Sequence, residues 1–210
     1  MVSVSTLLDY IFPPVCPHCR REGAWLCPEA HQEITRLEPL IDPLRIPGID
    51  QVIVCGSYDI PILSTIIHAL KFSGWSALAP AIGTLTKSLV PRLPVTGTLV
   101  PVPLHRQRQQ ERGFNQSLLI ADQLAAQTRL SVSPMLQRSR ATAQQAMLSE
   151  QERAKNISGA FRMAPRIAEI PSIAIIIDDV ITTGATIGVC AQVLHQAGVE
   201  KILAVGLAKG

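Results

Sequence analysis

The sequence predicts an α/β fold on a mostly parallel central sheet, preceded by a small cysteine-rich module. Three observations carry this expectation. From Gln51 onward, short β-rich runs alternate with segments whose apolar residues recur at helical spacing. Ile173 to Ile177 is a continuous apolar, mostly β-branched run without alternation, the habit of a strand buried on both faces in the middle of a parallel sheet. Three of the five cysteines, Cys16, Cys19 and Cys27, fall within one twelve-residue stretch near the start. A length of 210 residues suits one full domain plus an appendage. We expect the module and its linker over residues 1–46 and the main domain over residues 47–210.

Each element has its own signal. Ser5 to Phe12 is a short segment with one apolar face, stopped by Pro13 and Pro14. A short helix is expected from Glu29 to Leu37, then a linker punctuated by Pro39, Pro43 and Pro47. Val52 to Tyr58 reads as a strand, and Ile62, Leu63, Ile66, Ile67 and Leu70 mark the first helix of the main domain. Ser76 to Leu89 follows as a second helix, ended by Pro91. Thr98 to Val102 is the next strand, and the polar, Arg-rich stretch His105 to Gln116 is expected as a loop. A helix runs from about Leu118 to Gln127. Ser149 with Glu152 three residues later is a capping-box signature for a short helix through Ile157. The last helix spans Ala185 to Gln196, ends at Gly198, and leads into a strand from Lys201 to Leu207.

Hydrophobic residues at 47% exclude an intrinsically disordered chain. No apolar stretch approaches the ~18 residues of a membrane span. Met1 to Pro17 lacks the basic start and small-residue cleavage site of a secretory signal. The expectation is a cytoplasmic protein that does not span a membrane. Charge is unevenly spread: residues 101–166 carry ten basic side chains, nine of them arginine, against four acidic ones. Arginine grips phosphate through two parallel hydrogen bonds, so this centre suits an anionic ligand.

The most informative run is Ile175-Ile176-Ile177-Asp178-Asp179-Val180-Ile181-Thr182-Thr183-Gly184-Ala185-Thr186. A buried strand delivers two adjacent carboxylates at its C-terminal end, and a turn of small hydroxyl residues then opens a helix. In open α/β sheets ligands bind outside the carboxyl ends of the strands. A helix start offers backbone N–H groups and the positive end of the dipole, which suits a phosphate. Gly184 lets the backbone approach closely, while Thr182, Thr183 and Thr186 add hydroxyl donors. The two carboxylates would repel that phosphate and instead suit vicinal sugar hydroxyls. An ATPase P-loop is excluded, because no G-x-x-x-x-G-K-[ST] occurs.

The cysteine cluster reads as Cys16-x2-Cys19-x7-Cys27 followed by His31, three sulfurs and one nitrogen at zinc-like spacing. Reversible thiol chemistry and metal-free packing are the rival readings. The first needs a thioredoxin-like βαβ context that Pro13-Pro14 and the short following segment do not supply. Cys55 and Cys190 sit in apolar stretches and read as small buried hydrophobes.

The acidic-pair run resembles the phosphoribosyl pyrophosphate (PRPP) motif of type I phosphoribosyltransferases. Leu70-Lys71-Phe72-Ser73-Gly74, Val100-Pro101-Val102-Pro103-Leu104, Arg112-Gly113-Phe114-Asn115-Gln116, and Arg138 to Gln145 leading to Asn156 and Gly159-Ala160-Phe161 narrow the resemblance to the ComF (competence protein F) branch. It covers nearly the whole chain. It implies a type I phosphoribosyltransferase-like fold with an N-terminal zinc-finger-like module. It also implies a phosphoribosyl transfer that uses Mg²⁺ with PRPP and releases pyrophosphate. By motif, Asp178 and Asp179 would bind the ribose hydroxyls, and Thr182, Thr183, Gly184, Ala185 and Thr186 the 5′-phosphate. Arg106, Arg108 and Arg112 would face the pyrophosphate with Lys71 nearby; Arg106, Arg112 and Asp179 are the residues expected to carry the chemistry. His105 is the one histidine close enough to that loop to test. Arg138 and Arg140 suit either the same ligand or a nucleic-acid strand.

Members of this branch show a second C-x-x-C in the module, whereas here Ala30 stands where the fourth cysteine would be. A structural Zn²⁺ on Cys16, Cys19 and Cys27 would then take His31, or else His18, as its fourth ligand. The resemblance further implies a role in natural competence, with single-stranded DNA and the DNA-uptake machinery as partners. No segment announces the acceptor of a phosphoribosyl group, so a non-enzymatic factor that binds single-stranded DNA is the alternative.

Overall fold

The computed structural model describes Pro13 and residues 15–72, 75–139 and 159–210. The Ser5–Phe12 segment, Arg140, Asn156 and the helix expected from Ser149 to Ile157 lie outside the described residues, as do the side chains of Phe72, Trp75 and Arg106. Among the described residues the central sheet has six strands. They are β1 (Leu40–Asp42), β2 (Gln51–Val54), β3 (Thr98–Pro101), β4 (Ser131–Val132), β7 (Ile173–Ile181) and β8 (Lys201–Lys209), arranged β1-β2-β8-β7-β3-β4. All neighbours pair in parallel except β1 with β2. A separate antiparallel pair is formed by β5 (Leu136–Arg138) and β6 (Phe161–Met163).

β7 is central because its sequence leaves it no solvent face. Successive side chains of a strand point to opposite sides. Ile175 and Ile177 enter one core cluster, while Ala174 and Ile176 enter the other. The first cluster lies under α2 (Pro61–Phe72), α3 (Trp75–Leu89) and α5 (Gln116–Ala125), whose Ile66, Leu70, Leu85, Ile120 and Leu124 are fully buried. The second lies under α6 (Ala185–Gln196) and the β5–β6 pair, through Cys190, Leu194, Leu136 and Phe161. Cys55 and Cys190 are buried as expected of small hydrophobes. The cysteine-rich module joins the first cluster: Cys16, Cys27, Ala30 and Ile34 are all buried there, the last two on α1 (Pro28–Thr35). This is an α/β, phosphoribosyltransferase-like fold with a mostly parallel sheet and a Cys-rich module. No helix among the described residues is long and apolar enough to cross a membrane.

Several elements differ from the sequence expectations: the strand expected from Val52 to Tyr58 ends at Val54, and no local signal announced β4, β5 or β6. The proline-punctuated linker contains β1, an edge strand between Pro39 and Pro43 whose Leu40 and Ile41 are half exposed. Prolines flank edge strands without harm, because an edge has one side free of ladder bonds. The Arg-rich loop contains α4 (Arg106–Arg112), which has no apolar periodicity and is held by its ends. His105 Nδ1 accepts from the Gln107 N–H at 3.3 Å, and Gly113 at φ 77° closes the C-terminus. β7 also runs four residues past Ile177, so the acidic pair sits within the strand.

Candidate functional site

The position of the acidic pair follows from unequal strand lengths. β3 pairs with β7 only as far as Pro101 opposite Ile177, whereas β8 follows β7 out to Lys209 opposite Ile181. Beyond Ile177 one flank of β7 has therefore lost its ladder partner, and its own side chains take over. The Asp179 N–H donates to Asp178 Oδ1 at 3.0 Å, and the Val180 N–H donates to Asp179 Oδ1 at 2.8 Å. Ser117, on the first turn of α5, donates its hydroxyl to Asp178 Oδ1 at 3.1 Å. Lys71, in the last turn of α2, stands 3.9 Å from Asp179 Oδ2.

Burial pushes the Asp178 carboxyl up to about 7, and the charge of Asp179 adds to this. The Asp179 N–H, the Ser117 hydroxyl and Lys71 pull it back only in part. The pair thus holds two adjacent carboxyl groups of which Asp178 still takes up a proton near neutrality.

The turn after β7 keeps the expected strand–turn–helix geometry. Gly184 lies at φ 77°, and a Cβ there would run into Ile46 Cδ1 and Cγ1. Only glycine suits both the left-handed backbone and that close approach. Gly184 has no side chain with which to cap α6; the Ala185 N–H is met by Thr183 Oγ1 at 3.4 Å. The positive end of a twelve-residue helix thus opens beside three threonines.

These parts surround one cavity of about 370 Å³ at the carboxyl ends of β3, β7 and β8. Asp178, Asp179 and every residue from Thr182 to Thr186 line it, and so do Lys71, Arg108 and Arg112. Residues spread from position 71 to position 186 are thus brought together around it. Arg138 joins them, its guanidinium 5.3 Å from the centre of the Phe161 ring on the paired strand β6. Burial and the charge of Arg108 hold Arg138 below the usual arginine range. His105 does not line the cavity; its ring caps α4.

Sequence reasoning passed over Tyr58, Gln116 and Ser117 as lining residues. Gln116 could have been found, since it closes the Arg112–Gln116 block directly after Asn115, whose side chain caps α5 and donates to the Val102 carbonyl at 3.0 Å. Tyr58 offered no signal beyond its place at the end of an expected strand. Chemically, the cavity combines acceptors for vicinal hydroxyls, a hydroxyl-rich helix start for a phosphate, and guanidinium groups for a second anion.

In the module, the sulfurs of Cys16, Cys19 and Cys27 lie within 4.8 Å of one another. The Cys27 N–H donates to Cys16 Sγ at 3.3 Å and the Ala30 N–H to Cys27 Sγ at 3.4 Å. Burial would raise the Cys16 thiol, but backbone N–H groups of Cys19, Cys27 and His18 outweigh it and bring the thiol below its ordinary value. At Cys27 the Ala30 N–H favours the thiolate. Burial and the Glu29, Cys19 and Cys16 side chains prevail over it and push the thiol up to about 11. Three converging sulfurs fit a thiophilic ion. His31 is exposed and lies outside the sulfur cluster, and His18 stands 3.8 Å from Glu33.

No protein-family model matches the chain. It is 34% identical over 199 residues to the DNA utilization protein YhgH of Escherichia coli K12, a match that covers 90% of this chain and 86% of that protein. It is 32% identical over 204 residues to Competence protein F of Haemophilus influenzae, with 93% and 85% covered. A shorter match to Competence protein ComFC of Bacillus subtilis is 36% identical over 100 residues and covers 48% of this chain and 39% of that protein.

Proposed function

The chain belongs to the competence protein F (ComF) family, and from that premise we propose that its cavity binds Mg-PRPP and transfers the phosphoribosyl group to an acceptor, releasing pyrophosphate. The observation that carries this reading is the convergence of two carboxylates, a Thr-Thr-Gly-Ala-Thr helix start and two arginines of one helix on a single cavity. Asp178 and Asp179 accept hydrogen bonds from the ribose 2′- and 3′-hydroxyls. Thr182, Thr183, Gly184, Ala185 and Thr186 wrap the 5′-phosphate at the start of α6. Arg108 and Arg112, with Arg106 beside them on α4, face the diphosphate, and Lys71 braces Asp179. A nitrogen lone pair of the acceptor attacks C1, the C1–O bond breaks, and its electrons leave on pyrophosphate. Arg106, Arg112 and Asp179 act mainly by positioning and charge stabilisation, so no nucleophilic side chain is needed. Mg²⁺ suits the hard oxygens of the acidic pair together with the diphosphate, where it would neutralise the charge of the leaving group.

Calorimetric titration with Mg²⁺ and PRPP tests the reading. The wild type is expected to bind, and the Asp178→Asn/Asp179→Asn double variant to lose at least about a hundredfold in affinity, since each lost charge-assisted hydrogen bond counts ~1.5–3 kcal/mol. A folded wild type that ignores PRPP would leave the second reading, a competence factor that binds single-stranded DNA. That reading is favoured by the three arginines lining the cavity and by relatives named for DNA utilization. It predicts a steep salt dependence weakened by Arg106→Ala and Arg138→Ala.

In the module we propose a structural Zn²⁺ held by Cys16, Cys19 and Cys27, with His31, which lies outside the sulfur cluster, turning in as the fourth donor when the metal binds. The metal would tie the chain from Cys16 to α1 together, in a module too small to stand on its own packing. Metal analysis of the purified protein is expected to give one zinc per chain, lost in Cys16→Ser and reduced in His31→Ala. A wild type without stoichiometric zinc removes the proposal.

A further inference from the structure

Gln116, the first residue of α5, is 2% exposed and lines the cavity, and its side-chain Nε2, itself sealed from solvent, has no hydrogen-bond partner among the described residues. Its neighbours are committed elsewhere. Asn115 caps the helix and binds the Val102 carbonyl, and Ser117 donates to Asp178. Buried amide donors in native proteins are nearly always paired, so one that the described residues leave unsatisfied at a cavity wall is placed to take a partner from the cavity. The partner must be an acceptor. Gln116 sits at the positive end of a ten-residue helix, and the cavity wall also carries Arg108, Arg112 and Arg138. Donor, dipole and guanidinium groups all select an oxygen anion rather than a sugar hydroxyl.

We infer that Gln116 donates its amide N–H to a non-bridging oxygen of the diphosphate. No described residue takes this hydrogen bond, and a small rotation of the side chain toward the cavity makes it when the diphosphate arrives. This rests on the PRPP reading of the cavity but assigns a residue and a consequence which that reading lacks. Because the amide carries an unmet desolvation cost in the free protein, stability and affinity respond to it with opposite signs.

The test compares wild type, Gln116→Met, which keeps the length and removes the donor, and Gln116→Glu, which places a negative charge at the same atoms. Free-protein melting and titrations with Mg-pyrophosphate, Mg-PRPP and ribose 5-phosphate are measured on each. Gln116→Met is expected to raise the melting temperature by about 2–6 °C. It should weaken pyrophosphate and PRPP roughly ten- to a hundredfold and leave ribose 5-phosphate unchanged. Gln116→Glu should weaken both diphosphates at least as much. Unchanged diphosphate affinity in folded Gln116→Met and Gln116→Glu overturns the inference and leaves the PRPP reading standing. A Gln116-dependent pyrophosphate site in a protein that ignores PRPP and ribose 5-phosphate overturns the PRPP reading and keeps Gln116 as a diphosphate donor. Equal loss for all three ligands with a lowered melting temperature assigns Gln116 to packing alone, and a wild type that binds none of them removes both proposals.

Discussion

One part of the cavity wall comes from a single run of chain, Asp178 to Ile187, whereas the long polar side chains of the remainder, Lys71, Arg108, Arg112, Gln116 and Arg138, come from four different elements. The contiguous part is fixed by backbone: strand ladder, left-handed glycine and helix start follow one another, and the side chains have little freedom to point elsewhere. The assembled part is fixed by tertiary packing, and its arginines reach the cavity from an amphiphile-free helix and an edge pair. Substitutions that alter the backbone of the first part should therefore disturb folding and binding together, while side-chain substitutions in the second should separate them.

The largest effect is expected where backbone geometry is least negotiable. Gly184→Val puts a β-branched residue at φ 77° and drives its side chain into Ile46. Left-handed strain and overpacking together should destabilise by about 3–5 kcal/mol. Urea denaturation followed by circular dichroism measures this. A loss under 1 kcal/mol would mean that the turn is soft and that the contrast between the two parts is false.

Next comes the acidic pair, where stability and pH are linked. Asp178 folded titrates near 7, above the ordinary carboxyl value of about 3.9, so the native state binds its proton more tightly than the unfolded chain does. That contribution is fully present below pH ~4 and is lost as pH rises through about 7. Asp178→Asn abolishes this loss: it should match the wild type near pH 4 and be more stable at pH 8, by on the order of 2–4 kcal/mol. In the same variant, the rise in PRPP affinity expected of the wild type between pH 6 and pH 8 should flatten, because the ionised carboxylate accepts from a sugar hydroxyl more strongly than the neutral acid does. Parallel stability curves for the two proteins across this range would show that Asp178 is ionised throughout and that Ser117 and Lys71 satisfy it.

How far each part was legible in the sequence follows the same division. Ile173 to Ile177 announces a buried strand because no residue in it could face water, and Asp178 to Thr186 needs no distant partner to be read. The backbone N–H groups that Asp178 and Asp179 satisfy became visible only once β3 was seen to stop short. α4 was hidden because Arg-Gln-Arg-Gln-Gln-Glu-Arg has no apolar face; its helix rests on the His105 cap, Gly113, and a Gln107–Glu111 hydrogen bond of 3.1 Å. β1 was hidden by its prolines and its three-residue length. Ser117 belongs to the site through a contact spanning 61 positions, which no local pattern encodes.

The smallest effect on folding, and the sharpest separation, is expected at α4. Arg108 and Arg112 lie on a seven-residue helix whose caps and Gln107–Glu111 pair do not involve them. Neither has an ion-pair partner within 4.0 Å among the described residues. Replacing each by alanine should change stability by no more than about 0.5 kcal/mol, the usual range for surface substitutions. If these guanidinium groups face the diphosphate, Mg-pyrophosphate affinity should fall roughly tenfold or more for each, with a shallower salt dependence and no change for ribose 5-phosphate. Single-stranded DNA supplies the counter-test, since a nucleic-acid groove would lose oligonucleotide affinity through the same substitutions while pyrophosphate binding stayed constant. A protein in which Arg112→Ala unfolds as readily as Gly184→Val would show that the arginines hold α4 against the sheet, and their chemistry would then have to be sought in the fold and not in the ligand.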